Sequence, residues 1–327
     1  MSRSRTEFST QQFRSFRKRL LSWFDREQRK LPWRGEMDPY RILVSEIMLQ
    51  QTRVAVVEER YRDFLRQFPT VQKLARAREQ AVLAAWSGLG YYRRARALHA
   101  TARTVLRNRG FPDNAAALQE LPGVGKYTAA AVASIAYGEA VAVVDGNVKR
   151  VLERISGRRL SEQEYWQLAG ELLEPLRPGD FNQALMELGA VVCVPGEPRC
   201  DRCPVERLCA GRGVVAARTS SSRRKAILRY MFAMKHGRLL LQQRPRDASL
   251  MAGMWELPEF AGPPGDVQPI AELRHSITTT DYRVLVYAGS GGVGRDGKWV
   301  PLNKVDRMAL TGLAKKILRR IGYCCPG

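Results

Sequence analysis

The chain has 327 residues, 45% of them hydrophobic, so two domains with their own cores are expected. Its 54 Lys and Arg against 32 Asp and Glu leave a formal charge of +22, which points to a polyanionic partner bound through its phosphates. The basic start has no apolar run behind it, and the longest apolar stretch, 129–144, is broken by Gly138 and Glu139. A signal peptide and a membrane span are therefore not expected, and a soluble, cytoplasmic protein is.

In chain order, Ser9 is placed to cap a first helix whose apolar residues Phe13, Phe16, Leu20 and Trp23 or Phe24 recur on one face. Asp38 before Pro39 starts a second, since proline is preset for the first helical position. This helix carries Ile42, Leu43, Glu46 and Leu49 on one side. Helical patterns follow over about 54–68, 79–87 and 93–108, each ended by Gly or Pro. Leu121-Pro-Gly-Val-Gly-Lys-Tyr-Thr128 opens an Ala-rich helix that runs to Tyr137, and Asp145-Gly-Asn147 precedes an amphipathic helix over 148–155. Two more helices lead into a cysteine loop. Beyond residue 214 the composition changes. A basic linker over 215–225 gives way to strand-like runs at 227–235 and 238–243, read as a hairpin turned at His236-Gly237. Another strand is expected at 282–287 and a closing helix near Thr311. The organisation is an all-α region over 1–214, a linker over 215–225 and a smaller α+β domain over 226–327.

Cys193, Cys200, Cys203 and Cys209 follow the spacing Cys-x6-Cys-x2-Cys-x5-Cys; Cys324 and Cys325 in the tail are incidental. Four thiols in one short loop read as a metal site rather than as disulfides. Structural zinc more often uses two Cys-x2-Cys pairs held apart, and four cysteines also suit a [4Fe–4S] cluster. Gly123 and Gly125, both expected to take backbone conformations forbidden to other residues, lie in a turn between helices, where freed N–H groups and the dipole of the following helix favour an anion. Asp145 can cap the helix that follows it, stabilise a cation, or do both. Glu46 shares an apolar face, where a carboxyl's pKa should rise.

Taken in order, Leu31-Pro-Trp-Arg34, Ser45 to Thr52, Gly88-Leu-Gly-Tyr-Tyr92, the Gly-x-Gly turn, Asp145 to Leu152, Glu187-Leu-Gly-Ala190 and the cysteine loop resemble the MutY family of helix-hairpin-helix glycosylases. The resemblance implies an all-α helix-hairpin-helix core at about 31–145 and a cluster-bearing subdomain formed by the N-terminal helix with 146–214. It implies a [4Fe–4S] cluster on the four cysteines. It further implies base-excision repair of duplex DNA in which adenine is mispaired with 8-oxoguanine or guanine, by a monomer. Glu46 would be the acid at adenine N7. Asp145, oriented by Asn147, would stabilise the sugar cation. Trp33, Arg34, Tyr127 and Glu187 would line the adenine pocket, and Gly123, Gly125 and Lys126 would meet phosphate. Gln50 and Gln51 would lie at the opened duplex with Gln51 as wedge, and Tyr91 or Tyr92 would stack. Endonuclease III, by the same resemblance, has Gln in place of this Glu and a Schiff-base Lys eighteen residues before the Asp. Tyr127 stands at that position here and Lys126 is one residue off, so hydrolysis without a strong lyase step is expected.

The C-terminal region resembles the Nudix-like module of that family through Leu239-Leu-Leu-Gln-Gln-Arg244 and Met251-Ala-Gly-Met-Trp-Glu-Leu-Pro258. A hydrolytic Nudix box is absent, which argues against a pyrophosphatase. The resemblance places lesion reading near His275 and Thr278, where Ile277-Thr278-Thr279 departs from the family's Phe-Ser-His. Two other readings are a glycosylase for oxidised pyrimidines or mismatched thymine, and a non-catalytic DNA-binding scaffold. Glu46, Tyr127 and the extra domain argue against the first, and the presence of both carboxylates, Glu46 and Asp145, argues against the second.

Overall fold

The structure, a computed structural model, describes residues 8–213, 223–248, 250–260, 267–277, 279–289, 297–306 and 308–323. The helices are α1 (Thr10–Glu27), α2 (Pro39–Leu49), α3 (Val54–Gln67), α4 (Val71–Ala75), α5 (Glu79–Ala85), α6 (Arg93–Arg107), α7 (Ala115–Gln119), α8 (Lys126–Ala136), α9 (Gly146–Ser156), α10 (Glu162–Leu172), α11 (Pro178–Val191), α12 (Leu302–Val305) and α13 (Gly312–Arg320). The strands are β1 (Arg224–Phe232), β2 (Met234–Lys235), β3 (Arg238–Gln243), β4 (Trp255–Glu256), β5 (Ala271–Ile277), β6 (Thr280–Ala288) and β7 (Gly297–Pro301). Two compact units result, Met1–Gln51 with Ala100–Thr219 and Thr52–His99 with Ser220–Gly327. The change of composition at residue 214 marks where helix gives way to strand, whereas compactness groups α3–α5 with the strands. Hydrogen bonds from Gln80 Nε2 to the Gly253 carbonyl, 3.2 Å, and from Arg96 to the Ala252 carbonyl belong to that grouping. No described helix is long and apolar enough to cross a membrane.

In the first unit, local sequence sets the helix ends. Ser9 and Gln12 form a reciprocal capping box on α1, satisfying two N–H groups that a helix start leaves open. Asp38 caps α2, with Pro39 in its first turn. Phe16, Leu20 and Phe24 of α1, each at most 1% exposed, pack in one core with Val148, Leu152, Phe181 and Leu185. Burying each such side chain stabilises by about 1.5–3 kcal/mol before entropy is counted. That core fixes α9 and α11 side by side, and α8 packs against both α2 and α11.

The second unit holds two sheets. One has the order β1-β6-β5, with β1 parallel to β6 and β5 antiparallel to it; the other joins β2, β3 and β4, and β7 pairs with β3. The turn at His236-Gly237 is present, both residues having positive φ, which suits a two-residue hairpin. The hairpin itself is shorter than the sequence suggests. Only Met234–Lys235 pairs with β3, while Arg224–Phe232 pairs in parallel with β6. The chain leaves one sheet for the other at Ala233, which is fully buried and whose carbonyl accepts from Leu240 N at 3.0 Å. An unbroken apolar run carries no mark of that crossing.

Candidate active site

Glu46 lies on the inner face of α2 and is 5% exposed. Tyr127, one residue into α8, donates its hydroxyl to Glu46 Oε2 at 2.6 Å, and its oxygen lies 3.4 Å from Met186 Sδ on α11. Burial pushes the Glu46 pKa up to about 7. The Tyr127 hydrogen bond works against that rise, the nearby Asp145 charge reinforces it, and Arg34 opposes it. Burial and then the Glu46 and Asp145 charges lift the Tyr127 phenol well above its ordinary range, so it stays a donor. Near neutrality this site offers both a carboxylic acid and a carboxylate.

Asp145 is the N-cap of α9, and both of its oxygens are held. Oδ1 accepts from Val148 N at 2.7 Å and Oδ2 from Asn147 Nδ2 at 2.9 Å. Asn147 is itself fixed by Arg150, which donates to its Oδ1 at 2.8 Å, to the Gly189 carbonyl at 2.7 Å and to the Cys193 carbonyl at 2.7 Å. The close approach of α9 to α11 depends on Gly189. A methyl there would sit 2.7 Å from Asn147 Cβ and 2.9 Å from its carbonyl oxygen.

A second buried carboxylate, Glu187 on α11, is 3% exposed. Arg29 grips it with Nε to Oε1 at 2.7 Å and NH2 to Oε2 at 2.9 Å, and Arg34 adds a bond to Oε2 at 3.0 Å. Burial alone would raise this carboxyl, but the Arg29 hydrogen bonds and charge, then Arg34, bring it below its ordinary value. Arg34 also donates to Gln183 Oε1 at 2.5 Å and lies over the Phe24 ring at 4.9 Å. Trp33 is buried beside it in the sequence, 7% exposed. Neither Arg29 nor Gln183 stood out in the sequence. Gln183 is one helical turn before Glu187, a spacing that could have flagged it; no pattern marks Arg29.

The hairpin before α8 corrects one expectation. Gly123 has φ +75°, a conformation that favours glycine, whereas Gly125 has an ordinary φ of −86° and a methyl there would meet open space. Gly125 is the N-cap of α8 with no side-chain cap, so the first N–H groups of that helix have no side-chain acceptor at the cap. Lys126 places its ammonium 3.9 Å over the Trp166 ring, while the hydroxyl of Tyr127 reaches Glu46. Gln50 Nε2 donates to Thr128 Oγ1 at 3.2 Å, and Gln51 follows with φ +54°, a strained value for a non-glycine residue.

In the second unit the two tyrosines part company. Tyr92 is core, 4% exposed, while Tyr91 is 51% exposed with φ +46°. Arg94 holds that loop, donating to Leu89 O at 2.9 Å, Thr52 Oγ1 at 3.1 Å and Gly90 O at 3.2 Å while lying 5.5 Å from the Tyr91 ring centroid. His275 sits half-buried on β5. Burial and then the Lys316 charge lower its pKa. Thr278 lies outside the described residues, as do Cys324 and Cys325.

All four loop cysteines are free thiols of intermediate exposure. Burial raises Cys203 to about 12, and Cys193, Cys209 and Cys200 add to the rise, so the four sulfurs share one locality. Among the described residues no three His, Cys, Asp or Glu side chains converge to hold a single metal ion. Arg154, 7% exposed, donates to Cys193 Sγ at 3.2 Å and to the Val194 and Gly196 carbonyls at 2.9 Å each. Among the described residues no carboxylate pairs with it.

Residues 44–177, which include the glycine-turn hairpin, Glu46 and Asp145, match the family described as HhH-GPD superfamily base excision DNA repair protein. A solved thermostable thymine-DNA glycosylase is 32% identical with a TM-score of 0.58, over 62% of this chain and 96% of that one. The chain belongs to this superfamily. Among curated relatives, the adenine DNA glycosylase of Homo sapiens is 51% identical over 215 residues, covering 61% of this chain and 39% of the relative. That of Arabidopsis thaliana is 39% identical over 304 residues, covering 77% of this chain and 48% of the relative. The chain thus spans less than half the length of either.

Proposed function

We propose that the chain is a monofunctional adenine DNA glycosylase of the MutY type, acting on duplex DNA in which adenine faces 8-oxoguanine or guanine. One observation carries the reading: a buried carboxyl, Glu46, lifted to about 7 within reach of the Asp145 charge. Glu46 gives its proton to adenine N7. The bond from C1′ to N9 then breaks with its electron pair going to the base. Asp145 faces the developing positive charge at C1′, and Asn147 keeps the carboxylate aimed. Water adds at C1′ and yields its proton to the carboxylate. Trp33, Arg34, Tyr127 and Glu187 line the adenine pocket. Gly123, Gly125 and Lys126 face a phosphate at the start of α8, and Gln50, Gln51 and Tyr91 stand at the opened duplex, offsetting the cost of flipping the base. With a phenol in place of an amine at 127, water is the nucleophile.

Cys193, Cys200, Cys203 and Cys209 would hold a [4Fe–4S] cluster, a reading supported by their spacing and by the mutual effect of their four sulfurs on Cys203. Such a group supplies an anionic staple for the loop, with Arg154 beside it. Zinc is the alternative, and iron and sulfide analysis of the purified chain would separate the two: stoichiometric iron and sulfide are expected, and zinc in their place would overturn the cluster. A catalytic region over 1–214 and a Nudix-like lesion-reading domain over 226–327, using His275 and Thr278 in a monomer, complete the reading.

Single-turnover excision on duplexes carrying A opposite 8-oxoguanine, G·T and thymine glycol tests it. Adenine release alone is expected, without a borohydride-trapped covalent adduct; thymine or glycol release in its place overturns it.

A further inference from the structure

Along β5 and the last turns of α13 runs an open groove of about 500 Å³, lined by Glu272, Leu273, Arg274, Lys316, Arg319 and Arg320. The four cations are exposed. Glu272, the one acid among them, is engaged by Arg283 through two hydrogen bonds of 2.8 Å. Among the described residues no carboxylate pairs with Arg274, Lys316, Arg319 or Arg320. Lys316 Nζ donates to the Arg274 carbonyl at 2.6 Å, so the helix is tied to an outer strand of its sheet. Positions 316, 319 and 320 share one helix face. Cations in a last turn complement the helix dipole, but Arg274 is on a strand, where that account does not reach.

The lining chemistry selects the partner. Protein–protein interfaces are anchored by buried aromatic and apolar residues, and here only Leu273 is apolar. Single-stranded nucleic acid is held by aromatic stacking platforms, and the lining has none. What remains is a polar, cationic trough of the kind that meets a duplex sugar–phosphate backbone. We propose that this groove is a second DNA contact of the chain, binding backbone phosphates independently of base sequence and anchoring the duplex beside His275 on the same strand. The proposal rests on the DNA-repair reading above and adds to it a surface that excision chemistry does not require.

The test is equilibrium binding of the full chain to an undamaged duplex over a range of salt. Each phosphate contact contributes about 0.9 to the slope of log affinity against log salt. The variant Lys316→Ala/Arg319→Ala/Arg320→Ala is expected to lower that slope by about two to three. The control Arg238→Ala/Lys298→Ala/Lys304→Ala, which removes the same charge from β3, β7 and α12, is expected to keep the wild-type slope. The single variants Lys316→Gln and Arg320→Gln, which should fold whatever the triple does, are each expected to lower it by about one. An unchanged slope in the groove variants, an equal fall in groove and control variants, or a loss seen with polyglutamate and not with DNA each overturns the proposal. If the wild-type chain shows no salt-dependent affinity for duplex, the underlying reading fails too; if it binds and excises while the groove variants match it, the groove alone fails.

Discussion

Two carboxylates of one helical unit, Glu46 and Glu187, are almost equally buried, at 5% and 3% exposure, yet their protonation runs in opposite directions. Glu187 meets two guanidinium groups and is held ionised; Glu46 is pushed to about 7 by burial, with the Asp145 charge adding to the rise and only the Tyr127 hydrogen bond and the more distant Arg34 charge working against it. Burial is common to both, so the neighbours decide which becomes a proton donor and which a fixed anion. Pushing two acids apart in this way assigns separate roles without a change of fold.

Replacing Glu46 by Gln erases the difference most directly. Positioned acids supply roughly a hundredfold to ten-thousandfold, so a loss of about a thousandfold in single-turnover excision is expected, with duplex affinity retained. Retained turnover would sink the assignment of the acid. The same variant should also remove a pH dependence of stability. In the wild type the native carboxyl keeps its proton from about 4.5, where the unfolded chain loses it, to about 7. Stability therefore falls as pH rises through that window and levels off above it. Thermal melts of the Gln variant should lack that decline.

Next in size is Gly189→Ala. Its methyl would collide with Asn147, so α9 and α11 must part and Asp145, which Asn147 holds, must shift from its proposed place at the sugar. Misplacement by about an ångström can cost about a hundredfold in rate, and overpacking costs about 1–3 kcal/mol. Excision and melting temperature should both drop, and Glu46, with the Asp145 charge displaced, should lose its proton at a lower pH than in the wild type; wild-type kinetics would show that the helices have slack. Arg29→Gln works on the other acid. It takes the larger share of the guanidinium contacts from Glu187 and should destabilise by about 1–3 kcal/mol, read by denaturant titration. A stability equal to wild type would mean that Arg34 alone suffices.

How far these features could be read in the sequence follows from whether they are local. The caps at Ser9 and Asp38 and the Gly123 turn are written in neighbouring residues, and the structure places them as expected, whereas α2 is buried all round over residues 42–48 rather than on the one face that the sequence suggests. The grip of Arg29 on Glu187 spans 158 positions, and the closeness of Gly189 to Asn147 joins two helices; neither has a local signature. The same holds for the chain's switch between sheets at Ala233 and for the grouping of α3–α5 with the strands, both settled by packing. Tyr91 and Tyr92 differ only in which way a strained turn points them.

The smallest expected effect sharpens the comparison most, because it moves Glu46 without removing it. The Tyr127 hydroxyl donates to the carboxyl at 2.6 Å and favours its ionised form, holding the pKa lower than burial alone would. Tyr127→Phe deletes that donor. A hydrogen bond to a charged group is worth about 1.5–3 kcal/mol, and about 1.4 kcal/mol corresponds to one pH unit. The carboxyl should therefore hold its proton to a pH at least about one unit higher. Since the acid works only while protonated, the alkaline fall in excision, near pH 7 in the wild type, should shift upward by the same amount, with the plateau rate changed little. A fall that moved downward or stayed in place would mean that the titrating group is not Glu46, and the contrast with Glu187 would lose its chemical meaning.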